Sequence, residues 1–425
     1  MNTESQYRTQ NGVAVYRYPN SALHSFCLCL YVRGGCMYEP QEQNGVTHLL
    51  EHVIFRNVNH LCHGKLYPTL DRLGLDFNAG TYKEFVRFSI TGAPCHFEAA
   101  AELFCRILAP ITVDAATIAV EKKRVKAEIR ETDDKNSLDY FAEGFVWENT
   151  SLQRLITGTP ARVDAMGKTA LEQARAQLFT PENMFFYLTG NVSEQNVACL
   201  CRAVEGYRLQ TGPVKANLAP VPKGFFSRDA RVEVKNAREH FLRFSFDLDM
   251  SCLPDAPLNM LYDVLFCGDN CKMFQALSEQ SGLVYSYDAR LEKYGNLGTL
   301  SFCFEVKKQD VLAAVEKVVQ VLRQIKTGLQ DELDYVRATY TDNAGMLLDS
   351  AEDLNWTRGY HGHILGEFYP TEDDRIRAYA QVTPACVDEL SRRVFCTKNL
   401  VLAIKTDKKA LDCQAVRRLL LSLDD

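Results

Sequence analysis

"GLDFNAGTYKEFVRFSITGAPCHFEAAAELFCRILAPI" (residues 74–111) and "GLVYSYDARLEKYGNLGTLSFCFEVKKQDVLAAVEKVVQVLRQI" (residues 282–325) share one pattern. Each opens on Gly-Leu, runs through polar and aromatic residues that read as a long hairpin, and closes on an amphipathic helix. The second half of the chain therefore repeats the first in outline. Between the halves, "YRLQTGPVKANLAPVPKG" at 207–224 carries three prolines and little periodicity, the signature of a linker. Residues 1–212 and 225–425 are expected to form two domains, joined by 213–224. The fold class that fits is α+β: two similar domains, each a mainly antiparallel sheet with helices packed on one face.

The flanking sequence agrees. "GVAVYRYPN", "SFCLCLYVRGGC" and "NMFFYLTGNV" read as strands. "VTHLLEHVIFR" and "AATIAVEKKRVKAEIRETDD" read as helices. No Gly-rich phosphate loop follows a strand, so nucleotide chemistry has no support.

Composition narrows the function further. The chain has 425 residues, a net charge of −6 and a pI near 5.9, which gives no nucleic-acid footprint. No run approaches the ~18 apolar residues of a membrane span, and the N-terminal stretch has no secretory pattern. Fifteen cysteines lie scattered in apolar runs without zinc-knuckle spacing, so they are expected to be free core thiols in a reducing cytoplasm.

The chemistry concentrates at "GVTHLLEHVIF", residues 45–55. His48 and His52 are four apart, hence on one helical face and able to reach one Zn²⁺ at about 2.0–2.1 Å per nitrogen. Glu51 projects toward the same side and can act on a zinc-bound water; H-x-x-E-H is the inverzincin order. Composition alone gives about 0.02 such matches in a chain of this kind. The same stretch also suits a core helix whose polar residues find partners at its rim. A catalytic zinc takes three protein ligands, and "VEKKRVKAEIRE" at 120–131 offers the third. Glu121 and Glu128 are two helical turns apart: Glu128 can ligate, and Glu121 can accept a proton from a ligand histidine and fix its tautomer. Taken alone, the mixed charges of this helix suit a solvated surface face instead. His60 with His63 and His361 with His363 read as polar surface, and Trp147 and Trp356 as core or interface residues.

These residues resemble the insulinase/pitrilysin family of zinc metallopeptidases, with 75 residues between His52 and Glu128 as that family has. "FNAGTYKEFVRFSI" is similar to its Asn-Ala strand, "ITGTPARVDAMGKTALEQARAQLFTPENMFFYLTGNVS" to its Gly-Thr segment, and "ALSEQSGLVYSYDARLEKYGNLGTLSF" to its second-domain signature. The length is that of half-length members such as the mitochondrial processing peptidase subunits. The resemblance implies one Zn²⁺ per chain on His48, His52 and Glu128, with Glu51 as general base and Glu121 behind the ligands. It implies that Asn78 and Ala79 hydrogen-bond an extended peptide substrate through the main chain.

One departure stands out. The family's second domain carries an Arg and a Tyr seven residues apart that reach the partnered half's active site. Here Tyr285 is present and Ser278 stands in the Arg position. Ser cannot supply a bidentate cation. The expectation is a heterodimer, rather than a homodimer, in which a related subunit supplies the Arg–Tyr pair. The expected function is a zinc endopeptidase acting on short or unfolded peptides, with a leader-peptide or peptide-maturation role; the alternative is a non-catalytic or regulatory scaffold subunit.

Overall fold

In the computed structural model, which describes residues 3–132, 137–216, 218–326 and 328–425, both repeated stretches fold as a hairpin followed by a helix. In the first, β4 (Asp76–Thr81) pairs antiparallel with β5 (Phe85–Gly92), ahead of the helix Phe97–Cys105. In the second, β9 (Tyr287–Tyr294) and β10 (Leu297–Glu305) pair antiparallel, ahead of the helix Val311–Gln324.

Each hairpin sits at the end of a sheet. The first sheet adds β1 (Ser5–Arg8), β2 (Ala14–Pro19), β3 (Phe26–Arg33) and β6 (Met184–Gly190) in the order β1-β2-β6-β3-β5-β4. The second adds β7 (Arg231–Asn236), β8 (Phe241–Asp249) and β11 (Leu400–Thr406) in the order β7-β11-β8-β10-β9. Only β2–β6 and β7–β11 pair parallel among the described strands, so both sheets are mainly antiparallel, as α+β requires.

Most helices cover one face of their sheet. In the first sheet, Leu28, Leu30, Val32, Phe88 and Ile90 meet Leu49, Val53, Phe97 and Phe104 from helices. In the second, Leu242, Phe244, Phe246 and Phe302 meet Leu261, Val315 and Val318. The expectation of helices on one face omits a second layer. The opposite face of the first sheet, carrying Cys27, Cys29, Tyr31 and Tyr187, is covered by Ala351 and Leu354 of the helix Ala351–Trp356 and by Ile364 beyond it. In the second sheet, Leu138 and Ala142 of the helix Leu138–Val146 cover Ala403.

This layer makes the units discontinuous. One compact unit comprises Met1–Asp133, Arg154–Asn217 and Ala344–Glu372; the other comprises Asp134–Gln153, Leu218–Asn343 and Asp373–Asp425. The expected boundary within 213–224 marks one of the crossings. The division into 1–212 and 225–425 misassigns the two covering helices, because each strand face needs a cover and each cover comes from the other half of the sequence. No helix among the described residues is long and apolar enough to cross a membrane.

Candidate metal centre

The helix Val46–Leu61 buries Val46, Leu49, Leu50, Val53, Ile54 and Val58, and this apolar stripe fixes which way His48, Glu51 and His52 face. Its start is built tightly. Gly45 has φ +93°, and a Cβ there would lie 2.7 Å from the Thr157 carbonyl oxygen. Gly158 has φ +71°, and a Cβ there would lie 2.4 Å from the Asn44 carbonyl oxygen. The two glycines let the loops pack back to back.

The Glu39 carboxylate caps this start from outside the helix. It accepts the Gly45 N–H at 2.7 Å, the Thr47 N–H at 2.9 Å and the Asn44 side-chain amide at 3.0 Å. A carboxylate here satisfies orphan donors and meets the positive end of the helix. One turn before the other end, Asn57 donates to the Pro110 carbonyl at 2.9 Å and accepts from the Thr112 N–H at 2.8 Å and hydroxyl at 2.9 Å. That clamp holds the chain just ahead of the helix Ala115–Thr132, which carries Glu121 and Glu128.

The two helices bring the candidate ligands together. His48 Nε2 lies 3.4 Å from Glu128 Oε1, and His52 Nε2 lies 3.4 Å from Glu128 Oε2. One ligand atom from each of His48, His52 and Glu128 can be chosen so that all lie within 4.8 Å of one another. Bonds of about 2.0–2.1 Å in tetrahedral array put ligand atoms roughly 3.3 Å apart. Two imidazoles and a carboxylate at these separations fit zinc. Glu51 stands outside this set; its Oε2 accepts from the Thr81 hydroxyl at 2.5 Å.

Glu121 is buried behind the ligands, 3.8 Å from His52 Nδ1. Arg56, one turn after His52, donates to its Oε1 from Nε at 2.8 Å and lies 2.7 Å away through Nη2. Burial pushes the Glu121 carboxyl up, but the neighbouring His52 and the bond and charge of Arg56 outweigh it and hold the group below the usual carboxylate range. Burial pulls the His52 imidazole down, but Glu121, Glu51 and Glu128 together raise it above its ordinary value. The Glu128 carboxyl is held low, chiefly by the bond from His48.

Of the remaining expected residues, Asn78 and Ala79 lie on β4, the last strand of its sheet, with an edge that pairs with no described strand. Asn78 Oδ1 accepts the Ala79 N–H at 2.8 Å. Tyr285 belongs to the other unit, ahead of β9, and is 94% exposed; Ser278 is partly buried on the preceding helical turn. His60 and His63 lie at the helix end, exposed as expected of polar surface. His361 and His363 meet Glu367 and Glu4. The fifteen cysteines are free thiols.

Sequence reasoning missed Glu39, Arg56 and Asn57. Arg56 carries a signal, since it follows His52 by one helical turn. Glu39 and Asn57 carry none, because their partners are set by loops.

Fold and site together define the inverted H-x-x-E-H metallopeptidase class. The chain belongs to the insulinase family, peptidase family M16. Residues 18–159 match the insulinase (peptidase family M16) model, and residues 166–340 match the peptidase M16 inactive domain. The chain is 22% identical over 404 residues to the uncharacterized zinc protease YmxG of Bacillus subtilis, covering 94% of this chain and 97% of that one. It is 25% identical over 378 residues to an uncharacterized zinc protease of Streptomyces coelicolor, covering 86% and 82%. In structure it is similar to a protease from Helicobacter pylori, with a TM-score of 0.85 at 14% identity, covering 96% of this chain and 100% of that one. It also matches the periplasmic protease PqqL of Escherichia coli, with a TM-score of 0.81 at 17% identity, covering all of this chain and 50% of PqqL.

Proposed function

We propose that the chain is a zinc-dependent endopeptidase that cleaves short or unfolded peptides in a chamber formed with a related second subunit. The observation that carries this reading is the pair of 3.4 Å separations joining His48 and His52 to Glu128, with Glu51 left outside the ligand set. Zinc held by His48, His52 and Glu128 would lower the pKa of a bound water to about 7 and polarise the scissile carbonyl. Glu51 takes the proton of the attacking water and passes it to the leaving amine. Thr81 orients that carboxylate, and Glu121 fixes the His52 tautomer by accepting from Nδ1. The free edge at Asn78 and Ala79 takes an extended peptide as an added strand, which tightly folded proteins cannot offer.

Ser278 supports the two-subunit part of the reading. A related subunit with a degenerate zinc motif supplies the Arg–Tyr pair, and Tyr285 of this chain faces that subunit. PqqL, at twice this length in one chain, supports pairing of two such units. A role in leader-peptide removal or peptide maturation, in the cytoplasm, accords with a small paired enzyme rich in free thiols.

Metal analysis and turnover test the reading. About one zinc per chain, lost in His48→Ala and Glu128→Ala and kept in Glu51→Gln with activity abolished, is expected. An intact chain that binds no zinc favours the scaffold reading, which the inactive-domain match of residues 166–340 keeps in play. Peptide turnover by the purified chain at a rate no partner alters would refute the heterodimer.

A further inference from the structure

The second unit carries none of the candidate metal ligands, yet it holds an open cavity of about 660 Å³. Helix ends build its walls. Arg323 lies in the last turn of the helix Val311–Gln324, and Lys326 follows two residues beyond that helix. Arg392 lies in the last turn of the helix Pro384–Val394. Lys398 enters from the short turn Thr397–Asn399 that leads into β11, and Asp424 from the turn Ser422–Asp424 after the helix Cys413–Leu421. Four cationic side chains thus line one space, against the carboxylates of Asp424 and Asp425. A cation in the last turn of a helix complements that helix's negative end. That accounts for Arg323 and Arg392 singly, but not for their meeting Lys326 and Lys398 around one cavity.

The protein does not match these charges from within. The side chains of Arg323, Arg392 and Lys398 make no ion pair or hydrogen bond among the described residues. By contrast, Arg228, Arg231, Arg243 and Arg290 of the same unit each meet a carboxylate. Asp424 is committed to the fold: its Oδ1 accepts the Thr397 N–H at 3.0 Å, and its Oδ2 accepts the Thr397 hydroxyl. Lys326 donates to the Leu423 carbonyl. Burial pulls the Lys326 ammonium below its ordinary value, Asp424 opposes that shift, and the like charges of Arg323 and Arg392 add to it. An anion in the cavity would relieve this crowding.

The residue types say which anion. Planar guanidinium forks match the paired oxygens of a phosphate, and the two ammonium groups add point charges. The volume lies within the roughly 300–1,000 Å³ of small-molecule sites, so there is room for more than a phosphate group alone. Leu423 and the half-buried Cys396 give the organic part an apolar wall.

We propose that Arg323, Lys326, Arg392 and Lys398 form a binding site for a small phosphate-bearing molecule. The site does not depend on the peptidase reading, and it gives the unit without metal ligands a role of its own.

The test titrates the full chain calorimetrically with fructose 1,6-bisphosphate, at an ionic strength held constant with sodium chloride, and with fructose as the neutral control. Saturable binding of one bisphosphate per chain is expected, with a Kd below ~1 mM, and none of fructose. Arg323→Glu and Arg392→Glu should each weaken binding about tenfold or more, since each removes charge-assisted bonds and adds a repelling carboxylate. Lys308→Glu, ahead of the start of the same helix and paired with Asp407, should stay within about twofold. A second readout needs no variant. With the bisphosphate at about ten times its Kd, alkylation of Cys396 followed by mass spectrometry should slow about tenfold, while that of exposed Cys95 in the other unit should not change. Neither heat nor protection of Cys396 at several millimolar overturns the site. So does equal binding of fructose, or binding equally tight in both charge reversals, whether or not the chain cleaves peptides.

Discussion

Glu39→Ala should loosen the helix that carries His48, Glu51 and His52. The carboxylate accepts three donors, two of them main-chain N–H groups at the helix start. Glu39, Asn44 and Thr47 are all buried, so water reaches these groups poorly. An orphaned buried donor costs about 1–3 kcal/mol. Losing a helix cap costs about 0.5–2 kcal/mol, and the charge at the N-terminus contributes up to ~2 kcal/mol. These contributions overlap, and about 3 kcal/mol is a fair estimate for the helix start. Two units make global unfolding a poor measure, so amide hydrogen exchange is the better assay. At 1.36 kcal/mol per decade, protection in the first two turns of Val46–Leu61 should fall about 100-fold. Protection in β8 and β10 of the other unit should stay within a factor of about three. Zinc affinity should fall as well, because both histidines ride on those turns. Glu39→Gln should show a smaller loss, since its one carbonyl oxygen still accepts on one side while its amide turns a donor toward the N–H on the other. A change in protection below about threefold in Glu39→Ala would refute the capping role.

Two further perturbations address the fold. Asp247 accepts from Arg228 at 2.7 and 3.0 Å and from the Phe226 N–H at 2.9 Å, and both ion-pair side chains are almost wholly buried. Asp247→Ala strands the guanidinium and should cost about 3–5 kcal/mol, read as a lower urea midpoint in Trp147 emission; Trp147 packs against Phe225, over which Arg228 lies. Glu84 is buried, which pushes its carboxyl up to about 8, against about 4.3 for a free side chain. Its folded pKa is the higher one, so its contribution is full below about pH 4.3 and is lost as pH rises through 8. Glu84→Gln should therefore gain stability relative to the parent between pH 5 and 8, by at most about 1.4 kcal/mol per pH unit. A difference that stays flat over that range would contradict the burial argument.

The parts of the molecule legible in the sequence are those written in local periodicity. His48, Glu51 and His52 declare a shared face by their spacing, and the two hairpin–helix repeats declare two similar sheets. The need for a third ligand and the two-turn spacing of Glu121 and Glu128 point to Glu128, and the family's separation of the two motifs supports the pairing, because nothing local ties residue 52 to residue 128. The structure supplies the tie: Asn57 bonded to Pro110 and Thr112 sets the entry of the second helix. The second layer on each sheet left one readable sign. β3, "FCLCLYVR", is apolar at nearly every position and buried from Phe26 to Val32. An unbroken apolar strand is covered on both faces, whereas helices on one face alone would have left alternation. The covering helix itself is six residues long, too short for its periodicity to be read.

That layer bears on whether half of this chain is a domain at all. The cover over the first sheet is bonded as well as packed. Tyr31 donates its hydroxyl to Asn355 Oδ1 at 3.0 Å, Asn355 Nδ2 donates to the Tyr187 carbonyl at 2.9 Å, and Thr189 donates to the Ala351 carbonyl at 2.6 Å. The approach is close: a Cβ on Gly359 would lie 2.5 Å from the Tyr31 ring. A fragment ending in the proline-rich segment near residue 213 keeps His48, Glu51, His52 and Glu128 but loses this cover. Tyr31, Tyr187, Cys27 and Cys29 would then face water, with buried polar groups stripped of partners. Burying one such aromatic contributes about 1.5–3 kcal/mol, so uncovering two consumes much of the 5–15 kcal/mol of a typical domain. The fragment should bind the hydrophobic dye ANS, aggregate or fail to hold zinc, and adding residues 344–372 as a separate peptide should restore order. A soluble fragment of residues 1–213 with native-like hydrogen exchange and full zinc binding would show that the first sheet does not depend on its cover.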